Sequence, residues 1–161
     1  MAGTAQKKED AALATPRMED LTLTITLDTH VKASLEKTFA ALLDQVGPQF
    51  AKPDGESLKM KLEAWPGGRW YRDLGDGNGH YWATVQAIKR PTLLEMCGPL
   101  FASYPLVSNV QYRLSEENGG TLIQFRHTAL GFMDEQHRKG VTGGWTLIME
   151  RVKAQAESKK S

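Results

Sequence analysis

Apolar and polar side chains alternate over residues 21–27, where four aliphatic residues are separated by three threonines. This period of two, rich in β-branched residues, predicts a strand with one buried face. Over residues 35–43 the apolar positions recur instead at helical spacing, Ser34 is suited to cap the helix, and Gly47-Pro48 ends the run. We therefore expect the folded part of the chain to open with a strand and a short helix.

Six further strand patterns follow, separated by turn signals rich in glycine, proline or asparagine. They fall at about residues 58–62, 69–74, 80–88, 93–97, 107–115 and 121–128. The first of them alternates apolar residues with Lys59, Lys61 and Glu63, which indicates one buried and one solvated face. Short connections between strands favour hairpins, so the pattern predicts a mostly antiparallel sheet of about seven strands.

The C-terminal segment has the period of a helix. Between about residues 134 and 157, five apolar side chains recur at spacings of three and four: Trp145, Ile148, Met149, Val152 and Ala156. Glycines at positions 140, 143 and 144 disfavour helix in the first half, which leaves the start of the regular helix open between Asp134 and Thr142. The order of elements predicts an α+β fold, in which a curved antiparallel sheet wraps on the closing helix.

Length and composition fit one globular domain, since the 161 residues are 40% hydrophobic and 24% charged. We expect this domain to span residues 20–158, after a disordered tail at residues 1–19 that lacks sustained periodicity. Twenty basic and nineteen acidic residues leave a formal net charge of +1, which argues against nucleic acid or an anionic membrane as the partner. The neutral balance favours a small or uncharged partner.

Cysteine content and hydropathy limit the setting of the protein. Cys97 is the only cysteine, which excludes an internal disulfide and fits a reducing compartment. No apolar run reaches the roughly 18 residues of a membrane span, and the N-terminus lacks the pattern of a secretory signal. We therefore expect a cytoplasmic protein without a membrane span. Its oligomeric state stays open between monomer and homodimer.

Residues 65–70, Trp-Pro-Gly-Gly-Arg-Trp, join the second and third predicted strands. Pro66 presets φ near −65°, and Gly67 can adopt a positive φ. Gly68 allows the backbone to pass close to a neighbour, because it has no Cβ. The segment therefore predicts a sharp reversal of the chain.

Four features of the chain occur together: the order of its elements, the turn Pro66-Gly67-Gly68-Arg69, the spacing of Ala83, Val85, Ile88 and Pro91, and Gly144-Trp145 in the C-terminal helix. Together they resemble the SRPBCC superfamily, and within it the branch named after the activator of the heat-shock-protein-90 ATPase. The resemblance covers about residues 20–158. It implies a helix-grip fold with a cavity between sheet and helix. Members range from cochaperone domains to lipid carriers and polyketide cyclases, so the resemblance leaves the function open.

Strand alternation predicts which residues line such a cavity, because successive residues face opposite sides of a sheet. On the fourth strand it groups Trp82 with His80 and Thr84, opposite Ala83. The predicted ligand-binding residues are Trp70, Arg72, Trp82, Met96, Tyr112, Phe125, His127, Trp145 and Met149. A bulge would reverse the alternation, and the alternative interpretation is that these side chains simply fill a core.

One histidine is a candidate for catalysis. His127, with Arg72 or Tyr112 across the sheet, would be placed to polarise a carbonyl in a cyclase or hydrolase of this superfamily. The alternative is a polar edge residue that faces water. The four histidines show no metal-ligand spacing, and we expect neither a metal nor a cofactor.

These observations favour binding of a small apolar or aromatic ligand, such as a lipid or an aromatic polyketide, over catalysis. Two alternatives stay open: a cyclase or hydrolase that uses the same cavity, and an interaction module that regulates a chaperone ATPase. Docking to a chaperone would use the basic side chains Lys52, Lys59 and Lys61. Alternating lysines are also typical of an ordinary solvated strand face.

Overall fold

Seven antiparallel strands and two α-helices form the part of the chain that the structure, a computed structural model, describes: residues 15–101 and 103–159. The strands are β1 Thr22–Val31, β2 Met60–Leu62, β3 Arg69–Gly75, β4 Asn78–Lys89, β5 Leu93–Gly98, β6 Leu106–Glu117 and β7 Gly120–Gly131. The helices are α1 Leu35–Val46 and α2 Glu135–Glu157. The strands form one sheet in the order β1-β7-β6-β5-β4-β3-β2, so the predicted α+β fold is confirmed.

The predicted N-terminal tail is only partly covered by the structure. Residues 1–14 lie outside the described residues, and Met18–Asp20 forms a short 3-10 helix before β1. Arg138 of α2 donates to the backbone carbonyls of Thr22 and Asp20 at 2.6 and 2.9 Å. These bonds connect the start of β1 to the first turn of α2.

Helix α2 packs on the sheet because one of its faces is apolar at every third or fourth position. Its buried residues are Val141, Trp145, Ile148, Met149, Val152 and Ala156. Asp134 caps the helix by accepting a hydrogen bond from the backbone N–H of His137 at 2.6 Å. The glycine-rich first half is helical from Glu135 onward, since this cap and the burial of Val141 and Trp145 outweigh a propensity cost of about 1 kcal/mol per glycine.

Helix α1 is capped as its sequence predicts and packs beside α2. The Ser34 side chain accepts a hydrogen bond from the Lys37 N–H at 3.2 Å. Gln155 of α2 bonds to two α1 residues, since it accepts from Gln45 at 2.7 Å and donates to Asp44 at 2.8 Å. These hydrogen bonds fix the two helices relative to each other.

The turn at residues 65–70 has the backbone geometry that its sequence predicts. Gly67 adopts a φ of +84°, a conformation that favours glycine. A Cβ on Gly68 would lie 1.8 Å from the carbonyl oxygen of Glu63, so no side chain fits there. The turn also pairs with β4: the Gly67 N–H donates to the Val85 carbonyl at 2.9 Å, and the Val85 N–H donates to the Gly68 carbonyl at 2.8 Å. The predicted reversal and close approach are confirmed.

Alternation fails within β4 at Trp82, where the pairing with β3 shifts by one residue; a second irregularity lies between Val85 and Ala87 in the pairing with β5. Trp70 pairs with Ala83 and Tyr71 pairs with Tyr81, which leaves Trp82 as the extra residue of a β-bulge. Both Trp82 and Ala83 are buried. The expected strict alternation is therefore wrong here, and the bulge brings Trp82 into the same aromatic cluster as Trp70.

Candidate functional site

A cavity of about 460 Å³ lies between α2, the β3-β4 hairpin and the loop that follows α1. It is open to solvent on one side, and it occupies the position between sheet and C-terminal helix that the family resemblance implies. The larger apolar side chains that line it are Phe50, Leu58, Trp82, Phe101, Val141, Trp145, Leu147 and Ile148. Its lining is therefore mostly apolar, as in sites that bind small organic molecules.

Trp82 forms an aromatic wall of the cavity. Its ring packs edge to face against Trp70, Phe50 and Phe101, with centroid separations of 5.0, 5.3 and 5.7 Å. Trp70 is fully buried, and its indole N–H donates to the carbonyl of Val46 at 2.6 Å. This hydrogen bond ties β3 to the end of α1 and gives Trp82 a rigid support.

The wall that α2 contributes is partly bare backbone. Gly140 and Gly144 lie one helical turn apart and both line the cavity. A Cβ on either glycine would meet no atom within 4 Å. Gly143 has equally open surroundings but is not among the described residues that line the cavity. The two lining glycines therefore preserve space that side chains would otherwise fill.

Four polar side chains with basic character line the cavity: Lys52, Arg72, His80 and His137. Lys52 is paired with Glu56 at 2.8 Å. The side chain of Arg72 makes no hydrogen bond or ion pair with any described residue, and its Nε is buried without a partner. Among the described residues that line the cavity there is no Asp or Glu. The apolar space is thus bordered by an arginine that has no counter-ion within residues 15–101 and 103–159.

His80 lies directly beside Arg72. The two residues are paired across β3 and β4, so their side chains stand side by side on one face of the sheet. The indole N–H of Trp82 donates to Nδ1 of His80 at 3.0 Å. Because an indole N–H can only donate, Nδ1 carries no proton, and the His80 proton is on Nε2. The pair therefore offers two adjacent donors, the Arg72 guanidinium and the Nε2–H of His80.

His127 has a similar tryptophan partner but lies outside this cavity. Its Nδ1 accepts from the indole N–H of Trp145 at 3.0 Å, which places the proton on Nε2, and Nε2 donates to Ser108 Oγ at 2.9 Å. Burial, with a smaller effect from the charge of His137, lowers the pKa of His127 to about 4. The ring is neutral with both nitrogens engaged. The structure therefore gives no support to His127 as a general base.

The predicted ligand-binding residues fall into two groups. Three of them line the cavity: Arg72, Trp82 and Trp145. The other six are at most 3% exposed and pack in or against the core: Trp70, Met96, Tyr112, Phe125, His127 and Met149. His127 borders a separate small cavity of about 10 Å³ that does not include Arg72.

Sequence reasoning missed several lining residues. Phe50 and Phe101 lie in loops, where no strand or helix period predicts the direction of a side chain. His80 was grouped with Trp82 by alternation but was not recognised as the partner of its indole N–H. The glycines at positions 140 and 144, which are exposed and lie beside the buried stripe of α2, were interpreted only as positions that disfavour helix.

We expect Tyr112→Phe to raise the free energy of unfolding by about 1 kcal/mol. Tyr112 is fully buried, and its hydroxyl has no hydrogen-bond partner among the described residues, a situation that costs roughly 1–3 kcal/mol. The ring contact with Phe125 at 4.9 Å is kept in the variant. Urea denaturation measures the change. A loss of stability would instead show that the hydroxyl bonds to a buried water.

Two other kinds of site are not found in the described chain. None of the described helices is long and apolar enough to cross a membrane. Within residues 15–101 and 103–159, no three His, Cys, Asp or Glu side chains are arranged to hold a metal ion.

Comparison with known proteins identifies similar sequences and folds. Residues 32–157 match the family model of activator of Hsp90 ATPase homolog 1-like protein. No curated protein matches the chain. CalU16 from Micromonospora echinospora is similar in structure, with a TM-score of 0.59 and 21% identity over 84% of this chain and 77% of that chain. An uncharacterized protein from Rhizobium leguminosarum is also similar in structure, with a TM-score of 0.63 and 19% identity over 84% of this chain and 95% of that chain.

A third similar structure is the di-domain ARO/CYC StfQ from the steffimycin biosynthetic pathway. It has a TM-score of 0.61 and 13% identity over 95% of this chain and 54% of that chain. At such identities the structural similarity establishes the fold alone.

Proposed function

The chain belongs to the family of activator of Hsp90 ATPase homolog 1-like proteins, and we propose that it binds a small apolar or aromatic molecule in the cavity between its sheet and α2. The observation that carries the proposal is the cavity itself. Its volume of about 460 Å³ falls within the roughly 300–1,000 Å³ that small-molecule sites occupy, and its lining is mostly apolar with a few convergent polar groups.

The bare wall of α2 supports this function. Glycine in a helix interior costs about 1 kcal/mol relative to alanine. At positions 140 and 144 no neighbouring atom requires glycine, because an added Cβ would meet nothing within 4 Å. Space beside the helix is therefore the structural effect that these glycines provide, and a flat molecule could lie against the exposed backbone.

Naphthalene compounds are suitable probes, because a two-ring aromatic suits the apolar walls without assuming a biological ligand. Neutral 2-naphthamide is titrated by calorimetry, and thermal unfolding is followed with and without it. A ligand at 100 times its Kd adds about 2.7 kcal/mol to the stability, which raises Tm by several degrees. Failure of 2-naphthamide, 2-naphthoate and anilinonaphthalene sulfonate alike to bind would contradict the proposal.

We expect Gly144→Leu to weaken 2-naphthamide binding about tenfold or more, because the new side chain extends into the cavity. Gly143→Leu is the matched control, since position 143 is on the same helix, is equally open and does not line the cavity. Both variants should gain up to about 1 kcal/mol in the free energy of unfolding from helix propensity. Equal affinities of the two variants would show that the probe binds elsewhere.

The two alternative functions gain no specific support from the geometry. An enzyme that depends on His127 lacks a free lone pair on that ring. Of the lysines considered for chaperone docking, Lys52 pairs with Glu56 and Lys61 pairs with Asp73 at 2.6 Å. Small-molecule binding is therefore the function that we favour.

A further inference from the structure

We infer that the molecule bound in the cavity is an apolar or aromatic acid, whose carboxylate or similarly charged oxyanion pairs with Arg72. The inference rests on the proposed function, because it assigns a chemical class to the ligand of the same cavity. It is carried by the position and surroundings of one side chain.

Arg72 is charged at any physiological pH, since a guanidinium does not lose its proton in proteins. Arg72 is half-buried, so it loses part of its hydration at the edge of the apolar space, and an acidic partner would compensate for that loss. Arg72 has no such partner among the described residues, and its Nε is buried and unbonded. The side chain therefore has unused capacity to donate hydrogen bonds inside the cavity.

The acidic residue nearest in sequence is not available to Arg72. Asp73 follows it on β3 and so points to the opposite face of the strand. Its carboxylate pairs with Lys61 at 2.6 Å, and this pairing lowers the pKa of Asp73. The described cavity lining itself contains no Asp or Glu. An acidic partner for Arg72 would therefore come from outside the described chain.

The neighbours of Arg72 favour an anion over a cation or a neutral group. His80 stands beside it with its proton on Nε2, and His137 also lines the cavity, whereas the charge of Lys52 is already paired with Glu56. Hydrogen bonds from a guanidinium to an ionised acceptor are about twice as strong as those between neutral groups. An acid with an apolar body would satisfy the guanidinium and the aromatic wall at once.

The test compares two probes of the same shape, 2-naphthoate and neutral 2-naphthamide, by calorimetry at pH 7. We expect the wild-type protein to bind 2-naphthoate about tenfold or more tightly than 2-naphthamide, as a hydrogen bond to a charged group implies. In Arg72→Gln this preference should disappear while 2-naphthamide affinity changes about twofold or less. Arg126→Gln removes the same charge from an exposed position on β7 and should retain the preference.

Each outcome decides a specific point. Equal affinity of wild type for both probes, or an unchanged preference in Arg72→Gln, overturns the assignment of an acidic ligand and leaves small-molecule binding intact. If neither of these probes nor anilinonaphthalene sulfonate binds the wild-type protein, the proposed function fails and the inference fails with it. Because the wild-type comparison needs no substitution, the inference is tested even if Arg72→Gln does not fold.

Discussion

Alanine at position 68 is expected to lower the free energy of unfolding by about 3 kcal/mol, at the upper end of the cost of forcing an extra methyl group into a packed site. The new Cβ would lie 1.8 Å from the carbonyl oxygen of Glu63 and 2.8 Å from its carbonyl carbon. Both atoms are backbone, and the Glu63 N–H is fixed by a 2.9 Å hydrogen bond to the Arg69 carbonyl. Relief therefore requires the β2-β3 connection to move.

The free energies of unfolding of Gly68→Ala and Gly67→Ala, measured by urea denaturation, distinguish two effects. Gly68→Ala tests a steric clash of the new Cβ, and Gly67→Ala tests backbone strain at a positive φ. Gly67 has a φ of +84° but nothing within 4 Å of its Cβ position, so its replacement should cost only the roughly 1–2 kcal/mol of a left-handed conformation. A Gly68→Ala variant as stable as wild type, or no less stable than Gly67→Ala, would show that this turn adapts easily.

The stability of the protein is expected to fall by about 2 kcal/mol between pH 7 and pH 5 through His127 alone. Burial and the charge of His137 lower the pKa of His127 to about 4, against an unfolded value near 6.5. Between these values the unfolded chain binds more protons, so stability is full above pH 6.5 and is lost as the pH falls toward 4. Protonation would also disrupt the hydrogen bond that Nδ1 accepts from Trp145.

The free energy of unfolding of His127→Gln, measured over the same pH range, isolates this effect. Glutamine can accept a hydrogen bond from an indole and donate one to a hydroxyl, but it does not titrate. The variant should therefore lose about 2 kcal/mol less than wild type on going to pH 5. If the free energy of unfolding changes equally with pH in wild type and His127→Gln, the predicted contribution of His127 is ruled out.

Local chemistry explains why much of the fold could be predicted from the sequence. Three features depend only on residues close in sequence. They are the alternation of threonine with leucine and isoleucine at residues 21–27, the Ser34 cap of α1 and the apolar stripe of α2. The turn around Gly67 and Gly68 was predictable because few other residues tolerate that backbone. These local signals were sufficient to predict the order of the strands and helices and the position of the long C-terminal helix.

The site was less predictable, because its geometry depends on pairing between distant segments. The bulge at Trp82 arises from the register of β4 against β3, which no local pattern reports. The partners of the His127 ring, Ser108 and Trp145, lie 19 and 18 residues away in sequence. Similarly, β2 begins only at Met60, because Lys59 adopts a φ of 53° that interrupts the apolar alternation.

The placement of the tryptophans has an optical consequence. Trp65 is 57% exposed and Trp70 is buried, while Trp82 and Trp145 line the cavity and each donates its indole N–H to a histidine ring. Indole emission depends on polarity and on hydrogen bonding at the ring nitrogen. Half of the four tryptophans thus report on the cavity, and its occupancy can be followed through the intrinsic fluorescence of the unlabelled protein.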